Sequence, residues 1–205
     1  MIDLFLKGGP IMYLLLICSV VGFYLSIQKF LFLKINSVNY DLVLEKVKAQ
    51  LITIGKEQTI RDLLTQRKTS LKIVSKVIKV SDMSKDDIEE QIKQSTFKEM
   101  PRLERNMSIL SSIITVAPIL GLLGTVLGLM DIFQVISGGG IGDSAALSLG
   151  IAEALITTVT GLGIAVPLIF VYQYLSHEID LFIMKTDRMV SEVLLFCRSQ
   201  SAIKP

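Results

Sequence analysis

Three long stretches of this 205-residue chain contain no Asp, Glu, Lys or Arg: Gly8–Gln28, Asn106–Met130 and Ala154–Ser176, of 21, 25 and 23 residues. A helix of about 20 apolar residues crosses a bilayer, so each stretch predicts a transmembrane helix. Cysteine is scarce. Cys18 lies in the first apolar run and Cys197 in the polar tail, with no CxxC or metal-ligand spacing, which predicts two unpaired thiols and no metal site. No excess of charge is present either. A net charge of +2 argues against nucleic acid as a partner. No nucleophile, base and orienting group assemble in the sequence, so no catalytic residues are assigned, no cofactor is expected and the chain is not expected to be an enzyme. "GGGIG", residues 138–142, is followed by neither Lys-Ser nor Lys-Thr, which leaves a flexible turn rather than a phosphate loop.

What is present is hydrophobic: 51% of residues, with a mean hydropathy of +0.58. The first apolar run has a single Lys7 before it and no small-residue cleavage pattern, and is expected to be retained as a helix rather than removed as a signal peptide. Basic residues set an expected orientation. Sixteen of the 21 Lys and Arg fall in Lys29–Arg105, four follow the third apolar run, and Ser137–Ala146 has none. The expected plan is an outer N-terminus (1–8), helix 9–28, a cytoplasmic helical region (29–105), helix 106–136, an outer periplasmic hairpin (137–146), helix 147–176 and a cytoplasmic C-terminal helix (177–205).

The region between the first two spans reads as helical. Leu44, Val47, Leu51 and Ile54 recur at helical spacing, as do Ile73, Val77 and Val80. "SKDDIEEQIKQ" resembles a helix start, with Ser84 as cap and Asp86, Asp87, Glu89 and Glu90 in the first turns. That helix is expected to run toward Arg105, interrupted at Pro101. In the tail, Ile179, Phe182, Ile183, Val190, Val193 and Leu194 form a packing stripe.

Polar residues stand inside the apolar helices. Gly121, Gly124 and Gly128 have the small-residue spacing that lets membrane helices approach closely. Thr115, Pro118, Leu122, Thr125 and Leu129 share another face of the same helix. In the third run Gly150, Glu153, Thr157 and Thr160 follow a step of three or four, Gly161 continues it and Thr158 borders it. An ionisable residue at membrane depth costs about 2.5–3.5 kcal/mol, so Glu153 requires a polar partner, a wet cavity or a visiting ion. Each threonine could instead bond the carbonyl one turn back. Asp131 reads as interfacial, and His177 as a hydrogen-bonding residue at the membrane edge.

"APILGLLGTVLGLMDIF" and "GIAEALITTVTGLGIAVP" resemble the signature of the ExbB/TolQ/MotA ion-channel family, nearest its ExbB and TolQ branch. The resemblance covers the whole plan of the chain. It implies an all-α integral membrane protein with three transmembrane helices and long cytoplasmic helical extensions. It implies a homopentamer around an ExbD/TolR-like single-span partner, whose membrane Asp is the main proton carrier. Inward proton flow would then drive work on a TonB- or TolA-like periplasmic transducer from the bacterial inner membrane. By motif, Thr125, Glu153 and Thr158 would be polar pore-facing residues, with Thr157 beside them. Asp131 departs from the Asn or His that stands there in relatives. Two alternatives remain at this stage: a non-conducting membrane scaffold, and a sodium-driven stator of the same family. A self-contained transporter lacks the inverted repeat that such folds use.

Overall fold

The computed structural model describes residues 8–36, 39–65, 68–81, 104–137 and 144–203. Among them every regular element is an α-helix: α1 Ile11–Asn36, α2 Tyr40–Thr53, α3 Gly55–Thr65, α4 Thr69–Val80, α5 Met107–Ser137 and α6 Ser144–Ile203. Helices α1, α5 and α6 are each long and apolar enough to cross a membrane. Two compact units form, one from residues 1–29 with 106–175, the other from 30–105 with 176–205. The expected helix start around Ser84, and Pro101, lie outside the described residues, as do positions 138–143. Of the expected hairpin Ser137–Ala146, Ser137 closes α5 and residues 144–146 already belong to α6. Hydropathy locates apolar length, but helix ends follow backbone hydrogen bonding, so helix and apolar run need not coincide.

In the first unit small residues set the packing. A Cβ on Gly22 of α1 would come within 2.6 Å of Leu168 Cδ1 and 3.5 Å of Ile113 Cγ2, so α1 is seated on both α5 and α6. Leu15, Ala117 and Leu168 are fully buried there. The chain enters α5 through Asn106, at φ 71°, a left-handed conformation that Asn tolerates better than most residues. Its amide donates to Gln28 Oε1 at 3.0 Å. Pro118 and Pro167 lie inside their helices without ending them, as membrane helices permit.

The second unit has a conventional apolar core. Leu44, Val47, Leu63, Leu71, Ile73, Val74, Val77 and Ile78 meet Met189, Val190, Val193 and Cys197 of α6. The stripe expected from Leu44 to Ile54 breaks at its end. Ile54 is 44% exposed, because α2 stops at Thr53 and Gly55, at φ 80°, turns the chain into α3. Side-chain oxygens meet the first turns of two further helices. Asn39 Oδ1 accepts from Leu42 N–H at 3.4 Å, and Asn36 Oδ1 accepts from both the backbone N–H and the hydroxyl of Thr69, each at 3.2 Å. Neither Cys18 nor Cys197 forms a disulfide.

Glu192 joins α2 to α6, pairing with Lys48 at 3.1 Å and with Arg188 at 3.2 Å. The hydrogen bond from Lys48, then that from Arg188, holds its carboxyl below the usual range. An acid lowered in the folded state binds fewer protons there than when unfolded. Its contribution is therefore full above its ordinary value of 4.5 and is lost as pH falls through the lowered one. Burial raises Asp187 and acts in the opposite sense, but it is common to wild type and variant. Glu192→Gln should lower the unfolding temperature of the detergent-purified chain at pH 7. The deficit should close as pH is taken down from 4.5; a deficit unchanged at pH 3 would mean that shape, not charge, is responsible.

Candidate functional site

The site grows from the contact between α5 and α6, where glycine removes side chains and brings backbone within reach of side-chain hydroxyls. A Cβ on Gly121 would lie 2.9 Å from the Thr157 carbonyl oxygen and 3.0 Å from Thr158 Cα. One on Gly124 would lie 2.6 Å from Thr157 Cβ, and one on Gly128 would lie 2.9 Å from the Gly150 carbonyl oxygen. Gly150 in turn faces Ile132, and Gly161 faces Ala117 and the Gly121 backbone. All five glycines singled out in the sequence therefore stand in the contact between these two helices of one chain.

The same closeness lets hydroxyls cross between helices. Thr157 Oγ1 donates to Ala154 O at 2.8 Å and approaches Gly121 O at 3.3 Å. Thr158 Oγ1 donates to Gly121 O at 3.0 Å. One carbonyl of α5 thus receives two threonines of α6. Thr157 has no solvent exposure. The structure seats it in the helix contact, where the missing side chain of Gly124 leaves the space it fills. Thr158 is partly buried, on the border anticipated for it.

Thr125 does not join this pair. It is partly exposed, and its hydroxyl donates to Leu122 O at 2.6 Å, within its own helix. Thr115 and Thr160 bond back in the same way, to Ser111 O at 3.1 Å and Ile156 O at 2.7 Å. Thr115, Leu122 and Leu129 are exposed on the α5 face that also carries Thr125, while Gly121, Gly124 and Gly128 occupy the buried face. Asp131 and His177 are both exposed.

Glu153 is partly buried, one turn before Thr157 on α6. Its carboxylate lies against Gly9, where the chain enters α1: a Cβ on Gly9 would collide with Oε1 and stand 3.0 Å from Cδ. Gly9 has φ 65°, and its carbonyl accepts the first-turn bond from Met12 N–H at 3.2 Å. The acid therefore sits by the backbone that leads into the N-terminus of α1. Gly9 was not singled out in the sequence; the only signal was "GGP" at the head of an apolar run, which carries no chemistry by itself. No group of three His, Cys, Asp or Glu that could hold a metal is found among the described residues.

This geometry lies within a recognisable lineage. Residues 56–188 match the model of the MotA/TolQ/ExbB proton channel family. The chain is similar to the ExbB homolog of Methanothermobacter thermautotrophicus, with 32% identity over 87% of this chain and 64% of that protein. It is 29% identical to the ExbB-like 1 protein of Synechocystis, over 89% of this chain and 74% of that one. With the Tol-Pal system protein TolQ of Haemophilus influenzae it shares 37% identity over 40% of its length, 36% of TolQ. The chain thus spans just under two thirds of the archaeal relative and about a third of TolQ. The family match covers α3 and α4 as well as the glycine and threonine contact and Glu153, and with three apolar helices it makes this a multi-pass membrane protein: the chain belongs to the MotA/TolQ/ExbB proton channel family.

Proposed function

We propose that the chain is the channel-forming subunit of an ion-driven motor in a bacterial inner membrane. In this reading several copies, five by family resemblance, surround an ExbD/TolR-like single-span partner. Inward proton flow turns one against the other, and the motion is passed to a TonB- or TolA-like transducer. The observation that carries the proposal is Glu153, the one charged residue from Gly150 to Ser176, one turn along α6 from the two threonines that meet Gly121 O. Thr125 and Thr158 would line the path, and Thr157 would hold α5 against α6. A membrane potential supplies about 2.3 kcal/mol per charge per 100 mV, so work on a transducer would be done in repeated steps. The role is ion transport coupled to motion, with no bond made or broken.

One observation favours the scaffold alternative. Thr115, Thr125, Thr157, Thr158 and Thr160 all donate to backbone carbonyls, as helix glue would. The two readings part on conduction. Proteoliposomes holding the chain together with its single-span partner should take up protons under an imposed potential, and liposomes with the chain alone should not. A tight, fully assembled complex that passes no ion would favour the scaffold.

The proposed orientation has its own test. Gln58 is exposed on α3, in the basic region assigned to the cytoplasm. With Cys18 and Cys197 replaced by serine, Gln58→Cys should react with an impermeant maleimide only in inverted vesicles. Gly139→Cys should react from the outside of whole spheroplasts. Labelling of both from the same side would overturn the topology.

A further inference from the structure

The segment that leads into α1 has no part in the ion path as proposed so far, yet it is what the Glu153 carboxylate touches. Two glycines and a proline precede that helix. A Cβ on Gly8 would lie 3.4 Å from Ile156 Cγ2, and one on Gly9 would overlap Glu153 Oε1 while standing 3.0 Å from Cδ and 3.9 Å from Cγ. Ile156 and Glu153 are one turn apart on α6, so the Gly8-Gly9 backbone follows that turn closely. Pro10 fixes its own φ and has no N–H to satisfy. The bonds from Met12 N–H to Gly9 O and from Tyr13 N–H to Pro10 O, at 3.2 and 3.3 Å, tie the segment to the helix. The carboxylate therefore rests on the backbone that leads into α1 and is tied to its first turn by these bonds.

We propose that Gly9 is a positioning residue for Glu153: the space left by its missing side chain is the space the carboxylate occupies, so the start of α1 sets where the ionisable group stands on the path. This rests on the reading of Glu153 as the ion-path acid. It makes α1 part of the site rather than a membrane anchor alone. Glycine at this position has two separable uses. The left-handed φ of 65° would be kept by asparagine, which tolerates that region. The space would be filled by any Cβ, that of asparagine included.

The test uses the full chain co-purified with its single-span partner and reconstituted for proton-flux measurement. Gly9→Ala and Gly9→Asn should both lose most of the flux while the complex keeps its size and yield. Glu153→Asp withdraws the carboxylate by one methylene, so it should be impaired alone. Gly9→Ala/Glu153→Asp should conduct better than Gly9→Ala. A merely structural role for Gly9 would give no such rescue. A second reading avoids dependence on flux. In membranes containing Gly9→Asn, dicyclohexylcarbodiimide should modify Glu153 faster than in wild type, because the displaced carboxyl has lost its cover. Full flux in Gly9→Asn, absence of rescue by Glu153→Asp, or unchanged carbodiimide rates would each overturn the positioning role. Its failure is distinct from failure of the ion-path reading: Glu153→Gln conducting like wild type overturns the latter, whereas a dead Glu153→Gln beside fully active Gly9 variants overturns only the former.

Discussion

Gly124→Leu should separate α5 from α6 and leave little assembled protein in the membrane. A Cβ at this position would already lie 2.6 Å from Thr157 Cβ and 2.8 Å from its Cγ2, and leucine adds three more carbons. The obstacle cannot turn aside. Thr157 is β-branched, its χ1 is restricted, it is fully buried, and its hydroxyl is committed to Ala154 O. Overpacking costs typically about 1–3 kcal/mol in a core that can relax, and here relaxation would also break the Thr158 bond to Gly121 O. Native mass spectrometry of the detergent-extracted complex should therefore find it lost or reduced to fragments. Gly163→Ala is the control, since nothing lies within 4 Å of a Cβ there, and it should assemble normally. An intact complex from Gly124→Leu would mean that this glycine does not set the helix contact.

How much of this could be read from the sequence depended on whether a feature repeats along one element. The three charge-free runs became three long apolar helices because length and hydropathy are properties of the segment itself. The spacing of Gly121, Gly124 and Gly128 pointed to a close contact because it repeats on one face of α5. The stripe of Ile179, Phe182, Ile183, Val190, Val193 and Leu194 was readable for the same reason; Ile183 and Leu194 are partly buried and the others buried. Ile54 was misjudged because periodicity does not announce where a helix ends; Gly55 ended it. Thr157 and Thr158 were not separable by spacing alone, since neighbouring residues on α6 differ by about 100° and only the position of α5 decides which one is enclosed. Gly9 was unreadable in a stronger sense. It meets Glu153 across 144 positions, and glycine advertises nothing about its neighbour.

The second large effect concerns Glu153 itself. Glu153→Gln keeps the length and most of the hydrogen-bonding capacity of the side chain, and the amide still fits against Gly9, so helix packing and partner binding should be unchanged. What is lost is the charge. If the carboxylate carries or attracts the ion, the variant complex should be silent. If it serves to hold α6 against α1, glutamine should serve nearly as well. Glu153→Ala removes shape and charge together and should be silent whichever account holds, so glutamine is the informative change. The measurement is proton uptake into liposomes containing equal amounts of wild-type or Glu153→Gln complex, each with its single-span partner and each confirmed intact by native mass spectrometry, under the same imposed potential. The account predicts uptake by wild type and none above the empty-liposome leak for Glu153→Gln; uptake by Glu153→Gln at the wild-type rate would contradict it.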